Sequence, residues 1–141
     1  MRSSPNRLVA TIFGAVYILV GLLGFAVTGG VGFLATEGGL LLGIFEVNPL
    51  HNIAHLLIGA LLLFAARQSV SAAKGANTLV GAVYLLLGIV GLFILDSDAN
   101  ILSLNGADNV LHLGSALVLL GVALSQDKDT RRGDVPGVPG V

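Results

Sequence analysis

Four long apolar runs, separated by shorter polar stretches, dominate the chain and predict its secondary structure. Each run approaches the roughly 20 residues that a helix needs to cross a hydrocarbon core of about 30 Å. Little chain remains outside these runs, so we expect a single membrane domain over residues 1–125 and no separate soluble domain. The predicted spans are about Leu8–Thr28, Pro49–Arg67, Thr78–Leu95 and Ala107–Ser125.

The composition supports this prediction. Of the 141 residues, 55% are hydrophobic and 11% are charged, and the mean hydropathy is +0.93. Soluble domains carry about 25% charged residues, so this is the composition of a membrane protein. The chain contains no cysteine, which excludes disulfides, thiolate metal sites and cysteine nucleophiles. A net charge of −1 offers no basic surface to nucleic acid.

The basic residues all fall on one side of the predicted membrane. They precede the first span, lie between the second and third, or follow the fourth, whereas the other two connections carry only acidic residues. Because cytoplasmic segments are enriched in Lys and Arg, both termini are predicted to be cytoplasmic. A cleaved signal peptide is the alternative, and the repeat described next argues against it. The basic residues are Arg2, Arg7, Arg67, Lys74, Lys128, Arg131 and Arg132.

The first two spans resemble the last two. The segment GAVYILVGLLGF, Gly14–Phe25, reappears as GAVYLLLGIVGLF, Gly81–Phe93. Spans one and three point the same way, so a pseudo-two-fold axis is expected along the membrane normal. The predicted fold class is therefore all-α, an integral membrane four-helix bundle built from a duplicated two-helix hairpin. In spans two and four the matching polar pairs are Asn48 and Asn105, Asn52 and Asn109, and His55 and His112.

Glycines recur at helical spacing in spans one and three. No hydrophobic force drives helices together in lipid, so close approach over small residues matters for their association. These glycines therefore predict a packing seam in each half of the chain. They are Gly14, Gly21 and Gly24 in the first half and Gly81, Gly88 and Gly91 in the second.

The connections on the acidic side are apolar but too short to span. Gly38–Val47 and Ala99–Leu104 each lead into an asparagine, and we expect both at the outer membrane interface as short helices. Residues 126–141 are charged and then rich in proline and glycine, so they are predicted to form a disordered cytoplasmic tail.

Polar residues interrupt the apolar pattern where spans two and four begin. Asn48 is a favourable N-cap and Pro49 suits the first helical position, so part of this polarity starts a helix. His55 and His112 are expected roughly 9–10 Å below their helix starts. Ionisable residues at such depth are rare enough to count as functional candidates. The predicted polar site comprises Asn52, His55, Asn109, His112, His51, Asp108, Tyr17 and Tyr84.

Three interpretations of this polar site stay open. The first is a buried network in which Asn–His and Tyr–His hydrogen bonds fix the helix register. The second is a haem b or divalent metal site with His55 and His112 as ligands, to which His51 and Asp108 are further candidates. The third is a small-ligand or proton-relay pocket that uses neutral histidine. A bundle so rich in glycine packs tightly and leaves little room for a porphyrin, which argues against haem. We expect no bound cofactor.

No catalytic arrangement is recognisable. Ser103 and Ser115 near a histidine do not form a triad, and no carboxylate pair has an identifiable acid–base geometry. We therefore expect a non-enzymatic integral membrane protein that acts as an accessory or interaction subunit. Its low charge and glycine faces favour association with the lipid bilayer, with itself or with a larger membrane complex, and not with nucleic acid.

The segment Leu41–Arg67 resembles the signature of an uncharacterised family of small four-span membrane proteins found largely in actinobacteria. The most specific part of the resemblance is F-x-V-N-x-x-H-N-x-x-H, Phe45–His55, and the likeness covers roughly Arg7–Ser125. The family is a domain of unknown function. The resemblance implies a bacterial inner-membrane location and a four-helix fold, and it implies no activity.

Overall fold

The computed structural model describes residues 4–128 and contains four long helices and one short β-hairpin. All four helices are long and apolar enough to cross a bilayer, so the chain is a multi-pass membrane protein of the all-α class. The remainder of the predicted tail, residues 129–141, lies outside the described residues. The elements are α1 (Pro5–Gly24), β1 (Gly39–Leu41), β2 (Phe45–Val47), α2 (Pro49–Gln68), α3 (Val70–Ile94) and α4 (Gly106–Ser125).

Two helices begin earlier than the apolar segments that predicted them. Helix α3 starts at Val70 rather than near Thr78, because Ser69 caps it by accepting a hydrogen bond from the backbone N–H of Ala72 at 3.0 Å. Helix α1 starts earlier for the same reason, with Ser4 as its N-cap and a proline at its first position. An apolar run predicts the part of a helix that contacts lipid, whereas the capping residue determines where the helix begins.

The helices pack as two close pairs, α1 with α2 and α3 with α4. At Gly14, a Cβ would lie 2.9 Å from the carbonyl oxygen of Gly59 and 2.8 Å from Cγ of Leu63. At Gly81, a Cβ would lie 2.7 Å from Cγ of Leu120. The predicted glycine seams are therefore confirmed, and each lies inside one helix pair.

Strands β1 and β2 close one end of the bundle, which we call the hairpin end. They pair antiparallel through a turn in which Leu42 and Gly43 both have positive φ, 54° and 76°. A short helix was expected here, and that expectation is wrong because Gly39 packs directly against the carbonyl of Val27 and extended backbone continues through β2. The second connection, Ala99–Leu104, forms turns rather than a helix.

Side-chain hydrogen bonds join the two connections above the bundle interior. The side-chain amide of Asn48 donates to the carbonyls of Ala35 at 2.9 Å and Ile101 at 2.7 Å. The hydroxyl of Ser103 donates to the same Ala35 carbonyl. The two connections therefore cover the end of the bundle at which α2 and α4 begin.

The opposite end, which we call the terminal end, is closed by a second polar network. Asn77 on α3 donates to the backbone carbonyl of Asn6 on α1 at 3.0 Å. A carboxylate oxygen of Asp127 accepts from the Asn6 side chain at 2.9 Å and from the Ser4 hydroxyl at 2.7 Å. Asp127, which the sequence placed in a disordered tail, therefore packs against the bundle.

Candidate metal centre

The three histidines of the chain lie together inside the bundle. His51 and His55 are one turn apart on α2, and His112 reaches them from α4. Their exposed fractions are 2%, 3% and 1%. One ring nitrogen from each lies within 4.8 Å of the other two. The ring centroids are 4.5 Å apart for His51 and His55, 5.7 Å for His51 and His112, and 6.2 Å for His55 and His112.

The helix starts decide which polar side chains reach this cluster. Asn48 and Asn105 cap α2 and α4 as predicted, each accepting from the backbone N–H three residues on, at 2.8 Å and 3.0 Å. Asp108 occupies that third position of α4, and its carboxylate accepts from the backbone N–H of Asn105 at 3.0 Å and of Glu46 at 3.2 Å. At the equivalent position of α2, the side chain of His51 is free to join the cluster. Asp108 therefore serves the helix start and is not among the three clustered residues.

The two tyrosines cover the histidines from the other helices. Tyr17 on α1 stacks on His55 with centroids 5.5 Å apart and ring planes 16° apart. Tyr84 on α3 stacks on His112 at 4.9 Å and 19°, and the two tyrosine rings lie 5.3 Å apart. The tyrosines thus present ring faces to the imidazoles, so aromatic packing rather than hydrogen bonding joins each Tyr–His pair.

The two asparagines of the predicted site turn away from the histidines. Asn52 donates to the Thr28 hydroxyl at 3.1 Å, and its side-chain oxygen lies where a Cβ at Gly24 would stand. Asn109 packs in the same way on Gly91. In each case the glycine C–H points at the amide oxygen, a contact of the weak C–H···O type. Each asparagine therefore fastens its helix to the preceding one.

Many polar atoms of the site have no partner within the protein. Both ring nitrogens of all three histidines, and the hydroxyls of Tyr17 and Tyr84, accept or donate no hydrogen bond among residues 4–128. A buried polar atom left in this way costs about 1–3 kcal/mol. The Asn–His and Tyr–His hydrogen bonds that the sequence suggested are thus not present in the described part of the chain.

The nitrogen arrangement fits a single metal ion. Three ligands at the 2.0–2.1 Å typical of zinc–imidazole bonds, at tetrahedral angles, stand about 3.4 Å apart. The observed separations of up to 4.8 Å exceed that spacing by at most about 1.4 Å, which side-chain rotation can close. Imidazole ligands suit Zn, Cu, Fe and Ni, and three ligands leave a fourth position open.

The same arrangement does not fit haem. A porphyrin held by His55 and His112 would fill the space between these two rings, but the His51 ring lies 4.5 Å from one and 5.7 Å from the other. Tyr17 and Tyr84 cover further faces of the two would-be axial ligands.

The site includes one further polar residue, Ser115, which the sequence pattern did not predict for it. Ser115 is 5% exposed and lies next to the hydroxyl of Tyr17. It follows His112 by three residues, so helical spacing places it on the same side of α4. That spacing is the signal that identifies it.

Comparison with known proteins places the chain in a family. A family model described as a domain of unknown function, DUF4383, matches residues 7–125. No curated protein and no solved structure matches the chain. The resemblance inferred from the sequence, to an uncharacterised family spanning roughly Arg7–Ser125, is confirmed by this match. The chain belongs to the DUF4383 family of proteins with a domain of unknown function.

Proposed function

We propose that this chain is a non-enzymatic membrane protein that binds one transition-metal ion, of the zinc or copper type, through His51, His55 and His112. The observation that carries the proposal is that one ring nitrogen from each of three buried imidazoles lies within 4.8 Å of the other two. None of these rings forms a hydrogen bond within residues 4–128. Ion binding uses one nitrogen lone pair of each ring, and so offsets part of the cost of burying them.

The alternatives account less well for the same residues. A hydrogen-bond network needs every member satisfied, and the imidazoles of the described chain bond to no neighbour. A proton relay needs a continuous chain of donors and acceptors, and the ring nitrogens and tyrosine hydroxyls of the described residues form no hydrogen bonds with one another. Metal ligation requires only the convergence of three nitrogen atoms.

The position of the centre suggests how an ion reaches it. The charge pattern supports an orientation with both termini in the cytoplasm of a bacterial cell, and hence a plasma-membrane location. His55 is the seventh residue of α2, about 9 Å from the helix start at the hairpin end. In this orientation the centre lies in the outer half of the membrane and takes its ion from outside the cell.

The paired architecture supports an origin by duplication of one helical hairpin. Gly24 against Asn52 in the first pair has its counterpart in Gly91 against Asn109 in the second. Each helical hairpin contributes one histidine at the equivalent position, His55 in the first and His112 in the second. An ion bound at the centre would therefore link the two hairpins. An accessory role in a larger membrane complex is compatible with such a compact, cross-linked unit.

Metal analysis of the purified protein tests the proposal. The full chain, in mild detergent and without an affinity tag that binds metals, is expected to hold about one equivalent of zinc or copper. His55→Gln and His112→Gln keep a polar side chain of similar reach and should lose the ion. Asp108→Asn is the matched control, because its carboxylate already binds backbone N–H groups, and it should keep the ion.

Two results would overturn the proposal. One is a wild-type protein that holds no stoichiometric metal and binds none from added Zn²⁺, Cu⁺ or Cu²⁺. The other is a Soret band that disappears in both histidine variants, which would replace the ion by haem.

A further inference from the structure

A groove on the lipid-facing surface runs between helices α1 and α4. These two helices touch each other less than the members of either close pair do. The space between them amounts to about 540 Å³, within the 300–1,000 Å³ typical of sites for small ligands. Its walls are apolar, and its lining includes Ile12, Val16, Val110, Gly114, Ser115 and Val118.

The groove leads to buried hydroxyl groups. Ser115 lines it although its residue is only 5% exposed, and the Tyr17 hydroxyl lies next to Ser115. Tyr17 is 2% exposed, and its hydroxyl has no hydrogen-bond partner among residues 4–128. An apolar groove with one hydroxyl donor, that of Ser115, in its wall suits a ligand with an apolar body and a hydrogen-bond acceptor.

The depth of these hydroxyls limits the class of ligand. Ser115 is the tenth of the 20 residues of α4, about 14 Å from the helix start and therefore near the bilayer midplane. Phospholipid head groups and ionised fatty acids stay at the interface, so their polar groups do not reach this depth. The groove-lining residues carry no charge that would pair with an anion. The acceptor is therefore an uncharged group on a membrane-soluble molecule.

We propose that the groove between α1 and α4 binds a neutral, membrane-soluble carbonyl compound of the quinone class. The Ser115 hydroxyl donates to a ring carbonyl, which places the ring beside Tyr17, and the apolar tail lies along the valines of the groove. The groove adjoins the histidine cluster at Tyr17, and its occupation does not require a bound ion.

Tyrosine fluorescence of the metal-free, full-length protein tests the proposal. The chain has two tyrosines and no tryptophan, so its emission reports only on Tyr17 and Tyr84. The protein is placed in nanodiscs of phosphatidylcholine that contain no quinone, and a decyl-substituted benzoquinone is titrated in. Saturable quenching is expected at one equivalent, because the bound ring lies beside Tyr17.

Three variants make the measurement specific. Gly114→Leu places a larger side chain in the groove, and its Cβ displaces no neighbour because a Cβ at Gly114 meets nothing within 4 Å. It should raise the half-saturating concentration at least 10-fold. Gly121→Leu lies two turns further along α4, is equally unobstructed and does not line the groove, so it should behave as wild type. Ser115→Ala removes one hydrogen bond and should weaken binding about 3- to 10-fold.

Two outcomes would overturn the proposal. Quenching that rises linearly and equally in the wild type and in Gly114→Leu would mean that the quinone only partitions into the lipid. Saturable binding that decylbenzene displaces equally well, and that Ser115→Ala leaves unchanged, would mean that the groove holds an alkyl chain and recognises no carbonyl.

Discussion

At the scale of single residues, the third position of two equivalent helices decides how many histidines the centre contains. His51 and Asp108 both follow an N-cap asparagine by three residues. The aspartate satisfies two backbone N–H groups there, whereas an imidazole in the same place has no such role and turns inward. The sequence pattern predicted both residues for the polar site. It did not show that capping would remove one of them.

Asp127 gives a residue-level prediction about pH. Its partial burial acts to raise the pKa of the carboxyl, but hydrogen bonds from Asn6 and Ser4 outweigh that effect and hold the pKa below its ordinary value of 3.8. The unfolded chain then takes up its proton at higher pH than the folded chain does. The stabilisation is complete above the ordinary pKa and is lost as the pH falls through the lowered one.

We therefore expect Asp127→Asn to lower Tm at neutral pH by an amount that shrinks as the pH falls below about 4. Thermal unfolding of both proteins across that range measures the difference. A difference that stays constant down to about pH 2.5 would show that the carboxylate charge contributes nothing at the terminal end.

At the scale of elements, a glycine and an asparagine fasten each helix pair. The oxygen of Asn109 occupies the place of a Cβ at Gly91, and Asn52 does the same at Gly24. The sequence predicted these glycines as a packing seam because small residues at helical spacing are a local signal. It paired the asparagines with histidines instead, since a spacing of three residues cannot show toward which neighbouring helix a side chain turns.

Gly91→Ala should destabilise the protein by about 1–3 kcal/mol, because the added methyl group overlaps the Asn109 amide. Gly75→Ala is the matched control in the same helix, where a Cβ meets nothing within 4 Å. It should stabilise the protein by about 0.5–1 kcal/mol through helix propensity. Equilibrium unfolding in detergent measures both changes.

The double variant Gly91→Ala with Asn109→Ala separates the overlap from other effects. Removal of the amide makes room for the new methyl group, so part of the lost stability should return. If the changes in unfolding free energy of the two single variants instead add up to that of the double variant, Gly91 and Asn109 are not in contact.

The sequence predicted elements unevenly. Four apolar helices and the N-caps of α2 and α4 are encoded by neighbouring residues, so they were predictable. A helix was expected where β1 and β2 form a hairpin, because the composition of Gly38–Val47 is compatible with a helix and with a strand. The extended form depends on Gly39, which packs against the distant carbonyl of Val27. Local pattern carries no information about that contact.

At the scale of the whole molecule, the two helix pairs meet at the aromatic and histidine side chains. Tyr17 and Tyr84 bring α1 and α3 together, and the histidines bridge α2 and α4. The sequence pattern paired His55 with His112 in the repeat and named both as candidate ligands of one site. It listed His51 only as a further candidate, because its convergence with the other two depends on how the pairs are set against each other.

The orientation of the molecule is tested by chemical labelling. The chain contains no cysteine, so Ser97→Cys in the second connection at the hairpin end and Ser71→Cys in the first turn of α3 each introduce a single exposed thiol. A membrane-impermeant maleimide applied to intact cells should label Ser97→Cys and leave Ser71→Cys unlabelled until the cells are lysed. The reverse labelling pattern would place both termini outside the cell and the metal centre in the inner half of the membrane.

If the three histidines bind one ion together, their imidazole resonances must change together. The chain has three histidines, all in the cluster, so a protein labelled with ¹⁵N-histidine reports on the centre alone. Titration of metal-free protein with Zn²⁺ should replace one set of three imidazole resonances by another and be complete at one equivalent. Resonances that stay unchanged at excess Zn²⁺, or a shift confined to one histidine, would contradict the account.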